Sequence, residues 1–292
     1  MRLARVEYEG IAWLADADPA AASLTLLASA TDDYGRDVAV ELISGASAPT
    51  PANPPVQVAF DKVRFLAPIA RPSKNVICVG KNYRAHAEEF SRSGYDSSAT
   101  AGGDSVPSDV IIFSKAACSL TGAHEDVPVP WQITSEVDYE AELGVVIGKA
   151  GRHIDAADAY DHVWGYTVIN DVTARDLQAK HRQWLLGKSI DGFCPIGPWI
   201  VSADQVTPED LEVTCWVNGE QRQHANTRQL IFDIPSIIAT ASASMTLEPG
   251  DIIATGTPAG VGIGFEPPRF LQKGDVVKVS ISQIGTIENR IV

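Results

Sequence analysis

The sequence has no C-x-x-C pair, no long apolar run and no basic patch, and each lack removes a class of function. Its 4 cysteines, Cys78, Cys118, Cys194 and Cys215, stand far apart in 292 residues. This spacing argues against a disulfide framework or a zinc site and predicts isolated buried thiols. No stretch approaches the roughly 18 apolar residues of a membrane-spanning helix. The opening "MRLARVEYEGIAW" alternates charged and apolar residues and lacks the apolar centre of a signal peptide. A cytoplasmic protein with no membrane partner is the expectation. Lysine and arginine number 23 against 37 acidic residues, for a net charge of -14. Nucleic acid and anionic membranes, which demand basic patches, are therefore excluded as partners. Anionic substrates are not, because the surroundings of a bound divalent ion can be positive in a negative protein.

Several familiar motifs are also missing. There is no G-x-S-x-G elbow and no H-E-x-x-H pair. "GKS" at 187–189 lacks the Gly-rich loop that would make it a phosphate-binding site. "GTPAGVGIG" at 256–264 lacks both the G-x-G-x-x-G order and a following helix. It reads as a turn whose backbone N–H groups are available to an anion.

What is present is mostly strand. Residues 1 to about 45 read as short strands with turns, followed by a Pro-rich connector, "ISGASAPTPANPPVQV". A boundary near residue 70 divides a small N-terminal domain (1–70) from a larger one (71–292). "NVICVG" is a short buried strand, and "KNYRAHAEEF" has the composition of a helix starting directly after it. The stretch 91–109, rich in Ser, Gly and Asp, has little to bury and reads as a surface loop. Asp171 falls where a β-branched run gives way to a helix, with Thr173 placed as its N-cap. Asn218-Gly219 marks a hairpin, and a helix starts behind Pro235. Many strands and few helices make an α+β protein.

The segment "EVDYEAELGVV" carries the first chemical signal. In one strand Glu136, Asp138, Glu140 and Glu142 share a face while Val137, Tyr139, Ala141 and Leu143 share the other. Such a row is ordinary on a solvated face, but "ELGVVIG" turns apolar on both faces, so Glu140 and Glu142 lie near the buried end. Buried carboxylates need partners. With Asp171 they form an oxygen-only set that suits Mg2+, Mn2+ or Ca2+, provided the two strand ends are neighbours. His86 and Glu89 lie three apart on the helix after "NVICVG", within hydrogen-bonding reach. A carboxylate beside an imidazole builds a base, although a surface histidine beside Glu88 fits the spacing too.

Taken in order, "ICVGKNYRAHAEE", "YEAELGVVIG", "GYTVINDVTARDLQ", "LLGKSIDGFCPIGP", "VNGEQRQ", "IFDIPSII" and "LEPGDIIATGTPAGVG" resemble the fumarylacetoacetate hydrolase family over about residues 70–292. The resemblance implies a mixed β-roll with few helices, preceded by a small variable domain and commonly dimeric. It implies Mg2+ or Mn2+ held by Glu140, Glu142 and Asp171, and a water-activating pair, His86 and Glu89, on a short helix that orders as a lid. It also implies that Lys188 reaches into the site and that Gln178 and Thr257 contact substrate. The activity it implies is hydrolysis of a carbon–carbon bond in a 2,4-dioxo acid such as an acylpyruvate. Oxaloacetate decarboxylation and isomerisation of a hydroxydienedioate use the same enolate chemistry, and a non-catalytic metabolite binder on this scaffold is the remaining reading. Lys115 sits in "FSKAACS", where many relatives carry a proline, and the resemblance assigns it no role.

Overall fold

The structure, a computed structural model, describes residues 1–30, 37–45, 55–96 and 105–292. The middle of the Pro-rich connector and residues 97–104 of the 91–109 stretch lie outside the described residues. Strands β1 (Arg2–Tyr8), β2 (Ile11–Asp18) and β3 (Ser23–Ser29) form a meander, followed by helix α1 (Val38–Ile43) and by β4 (Gln57–Ala59) and β5 (Arg64–Leu66). Next come β6 (Val76–Gly80), helix α2 (Arg84–Arg92), β7 (Ile111–Lys115), β8 (Leu120–Thr121), β9 (Val137–Asp138), β10 (Ala141–Ile147), β11 (Val163–Asn170) and β12 (Thr173–Ala174). Two short helices, α3 (Arg175–His181) and α4 (Leu185–Lys188), lead into β13 (Cys194–Ser202). The chain closes with β14 (Glu212–Val217), β15 (Glu220–Asn226), helix α5 (Ile234–Ser244), β16 (Ile252–Ala254), β17 (Val276–Ile281) and β18 (Gly285–Arg290).

The main sheet runs β4-β3-β2-β1-β13-β11-β10-β16-β6-β7, with β5 on β1 and β8 on β13. The join between the N-terminal meander and the rest is the antiparallel register Arg2↔Val201, Leu3↔Ile200 and Ala4↔Trp199. Most pairs are antiparallel, but β16 runs parallel to β6 and β8 parallel to β13. The α+β expectation, mostly mixed sheet with few helices, holds.

Both faces of the central strands are buried, as their near-continuous apolar runs require. Leu143, Val145 and Ile147 of β10 face a second, antiparallel sheet, β15-β14-β17-β18, whose Val213, Cys215, Val277 and Val279 pack in the same core. Val146 faces the other way, with Ile169, Ile196, Ile200 and Ile252, toward Ala39, Leu42 and Ile43 of α1. Gly144 lies where a Cβ would come within 2.7 Å of Ile169 Cδ1, so the strand permits no side chain there. The hairpin at Asn218-Gly219 forms as expected, both residues taking positive φ (51° and 81°). Helix α5 also starts as expected, with Pro235 in its first turn and Asp233 accepting from Ser236 N.

Four local expectations are corrected. "EVDYEAELGVV" is two strands broken at Tyr139-Glu140, because Asp138 pairs with Thr173 in a separate ladder while Ala141 pairs with Asn170. The helix after β6 begins at Arg84 rather than at once: Lys81 takes φ 55°, and Asn82 is bound to Phe232 and Thr255. Thr173 does not cap α3. It lies in β12 and donates to Asp171 O, and Ala174 holds the cap position without a side-chain bond. Cys78, Cys194 and Cys215 are buried free thiols, but Cys118 is exposed. No helix among the described residues is long and apolar enough to cross a membrane.

Candidate active site

Antiparallel pairing brings the carboxylates together. β10 starts at Ala141 opposite Asn170, the last residue of β11, so Glu140 and Asp171 flank one end of the same ladder. The end is fastened by Asp171 N donating to Glu140 O (2.8 Å) and by Glu140 N donating to Asn170 Oδ1 (3.0 Å). Glu142, two residues along, shares Glu140's face. One ligand oxygen from each of Glu140, Glu142 and Asp171 lies within 4.8 Å of the others, and all three residues are buried. Asp138 does not join them. It accepts from Gly262 N (2.6 Å) and Ile263 N (3.2 Å) and pairs with Arg175 Nε (2.9 Å).

Three buried cations surround the trio. Lys188 Nζ bridges Glu140 Oε2 (2.6 Å) and Asp171 Oδ2 (2.7 Å). Arg175 Nη2 lies 2.6 Å from Glu140 Oε1. Lys115, to which the resemblance assigns no role, is fully buried with Nζ 2.7 Å from Asp171 Oδ1, and it also donates to the carbonyls of Val172 and Lys188. Arg175 was missed as well. The only signal for either was a charged residue within an otherwise buried strand or helix start, beside a candidate ligand.

The electrostatics are uneven across the trio. Burial works against ionisation of Glu140, but Lys188, Arg175 and His86 overcome it and hold its carboxyl at about 2. Glu142 has too little such help: burial first, then Asp171 and Glu140, push its carboxyl well above the ordinary value against the weaker opposing pull of Lys188 and Gly256 N. Its one backbone donor is Gly256 N at 2.8 Å. For Lys188, burial opposes the charge, yet Asp171 and Glu140 raise the ammonium to about 12, so it stays a cation. Asp171 Oδ1 has a lysine nearby but no aligned hydrogen-bond donor among the described residues. A buried, oxygen-only set with one under-served carboxyl fits a hard divalent cation.

The pair on α2 also forms. His86 is buried, its Nδ1 is 3.3 Å from Glu89 Oε2, and its ring stacks on Phe90. Glu89 is the partner, and Glu88 is exposed. Gly260 N fixes the Glu89 carboxylate from 3.0 Å, and the side chain sits where a Cβ on Gly264 would be. The expectation that the 256–264 turn offers N–H groups to an anion is met from within: Gly256, Gly260 and Gly262 hold Glu142, Glu89 and Asp138.

Between these groups lies a small cavity lined by Lys81, His86, Phe90, Phe113, Glu140, Glu142, Arg175, Gln178, Trp184, Lys188 and Thr257. Gln178 accepts from Arg175 Nη1 (3.0 Å), and Thr257 accepts from Gln223 Nε2 (2.8 Å). His86, Glu140, Glu142, Gln178, Lys188 and Thr257 therefore line the cavity, and Asp171 and Glu89 contact residues that do.

Comparison with known proteins agrees with this geometry. Residues 75–292 match the model of the fumarylacetoacetate hydrolase C-terminal family. The chain is 48% identical over 233 residues to oxaloacetate tautomerase YisK of Bacillus subtilis, covering 80% of this chain and 74% of the relative. It superposes on a fumarylacetoacetate hydrolase from Exiguobacterium antarcticum with a TM-score of 0.84 at 40% identity, covering 100% of this chain and 99% of the other. A maleylpyruvate hydrolase from Sphingobium sp. SYK-6, in complex with manganese(II) and pyruvate, gives a TM-score of 0.77 at 32% identity with coverage of 100% and 99%. The chain is an enzyme of the fumarylacetoacetate hydrolase family.

Proposed function

We propose that the protein interconverts the keto and enol forms of a short 2-oxo dicarboxylic acid of the oxaloacetate type, with Mg2+ or Mn2+ held by Glu140, Glu142 and Asp171. The observation that carries this reading is the cavity itself. It sets Glu140 and Glu142 of the carboxylate trio in one lining with the His86 base, beside the cations Lys188 and Arg175. The oxaloacetate tautomerase relative supports the substrate.

When bound, the divalent ion supplies Lewis-acid stabilisation of negative charge on the keto oxygen. The protein's own groups do the rest. His86 removes the proton on C3, the electron pair of that C–H bond becomes the C2–C3 double bond as charge moves to oxygen, and the imidazolium gives the proton to that oxygen to complete the enol. Glu89 accepts the hydrogen bond from His86 Nδ1 and stabilises the imidazolium that results. Lys188, a permanent cation, faces the developing charge, which leaves proton transfer to His86. Gln178 and Thr257 orient the substrate head, and Phe90, Phe113 and Trp184 exclude water.

Hydrolysis of an acylpyruvate is the second reading, favoured by the same His86–Glu89 pair, which is equally suited to activating water. The test follows the enol absorbance of oxaloacetate with the protein and Mn2+, and acylpyruvate cleavage in parallel. Faster equilibration of oxaloacetate, abolished by EDTA, is expected. A rate equal to that of Mn2+ alone, together with acylpyruvate cleavage, would replace the first reading by the second.

A further inference from the structure

The geometry points to Lys81 as the receptor for the second carboxylate of the substrate, with Asp96 holding its place until that carboxylate arrives. This rests on the reading of the cavity as a 2-oxo acid site and adds what selects the far end of the molecule.

Lys81 lines the cavity together with the trio, His86 and Arg175. Its ammonium is bound to Asp96 at 2.5 Å, with side chains 7% and 3% exposed, and lies 5.5 Å from the centre of the Phe90 ring. The other two cavity cations are engaged with the metal half: Lys188 with Glu140 and Asp171, Arg175 with Asp138 and Glu140. Lys81 instead pairs with a carboxylate that belongs to neither the trio nor the base. A buried ammonium must be compensated, so a ligand can take the place of Asp96 only by bringing a carboxylate of its own. A ligand without one leaves the internal pair intact. The cavity thus discriminates dicarboxylic from monocarboxylic 2-oxo acids through the carboxylate next to the reacting carbon.

The exchange also acts on the base. Asp96 Oδ2 accepts from Ser91 Oγ at 3.3 Å, and Ser91 lies on α2, the helix of His86 and Glu89. Phe90, between them, touches both His86 and the Lys81 ammonium. Displacement of Asp96 therefore releases one restraint on α2 when the correct substrate is in place.

The test is calorimetric and uses unreactive ligands: malate and lactate share a 2-hydroxy acid head, and only malate has the second carboxylate. With Mn2+ present, wild type should bind malate more tightly than lactate. Lys81→Met should weaken malate about tenfold and leave lactate unchanged, while Lys81→Arg keeps most of the difference. Asp96→Asn removes the internal competitor and should tighten malate about threefold without affecting lactate. Equal weakening of both ligands by Lys81→Met, or weaker malate binding in Asp96→Asn, overturns the assignment. Should Lys81→Met fail to fold, Asp96→Asn still decides. A wild type that shows the malate preference and its dependence on Lys81, but no turnover of oxaloacetate, upholds the receptor and refutes the proposed reaction. An active enzyme with a Lys81-independent preference does the reverse.

Discussion

The two halves of the site are built in opposite ways. The carboxylate half stands on β10 and β11, in the middle of the main sheet, where Glu140, Glu142 and Asp171 are buried and each is held by a backbone donor or a cation. The base half stands on α2, a helix of 9 residues whose N-cap, Tyr83, makes no side-chain cap bond. There the geometry of the proposed base depends on one 3.3 Å contact between His86 and Glu89 and on the glycine turn behind it. Concentrating charge needs rigid neighbours that cannot relax away from it, so it belongs in a sheet. Moving a proton needs a group that can be brought up and withdrawn, so it belongs on an element with few restraints. The halves should therefore fail independently.

The largest effect is expected from Glu142→Gln. Losing one of three anionic ligands should lower Mn2+ affinity by about a hundredfold or more and abolish turnover, while the metal-free protein melts at a higher temperature because repulsion is relieved. Calorimetry that finds wild-type affinity would remove Glu142 from the ligand set. Next, His86→Ala should cut kcat by about 10²- to 10⁴-fold with Mn2+ affinity intact. A parallel fall in metal affinity would show that the halves are not separable.

Gly264→Ala tests the turn behind the base. The added methyl lands on the Glu89 carboxylate, which must move, and a loss of about tenfold in kcat is expected with metal binding unaffected. Unchanged kcat would mean that Glu89 does not orient His86. The smallest effect is expected from Glu88→Gln, since Glu88 is exposed and Glu89 is the residue that contacts the imidazole. Measurable loss there would reopen the choice between the two glutamates.

Much of this division was legible in the residues. Alternation placed Glu140 and Glu142 on one face, three-residue spacing joined His86 to Glu89, and Asn-Gly set the hairpin, because each depends on neighbours close in the chain. The rest depended on distant segments. Asp138 follows the same alternation as Glu140 but is captured by Gly262 and Ile263, more than a hundred residues on, and the strand breaks between the two acids. Lys115 looked dispensable because its local turn lacks a proline, yet its importance comes from Asp171, across the sheet. Thr173 has the chemistry of a cap, but pairing with Asp138 takes it into a ladder. In each case a long-range pairing outcompeted a sound local preference.

The glycine turn between Gly256 and Gly264 has a consequence for how the enzyme can change. Its successive N–H groups grip one carboxylate from the metal half, one from the base half and one from the structural pair with Arg175. It works as a gauge block, setting the separation between the carboxylate trio and the His86–Glu89 pair. A residue inserted or deleted here would alter both positions at once, so the length of the turn is constrained far more tightly than the identity of its solvent-facing side chains. Under the proposed assignment, substrate range would drift through Lys81, Asp96 and the aromatic wall, while this spacing stays the same.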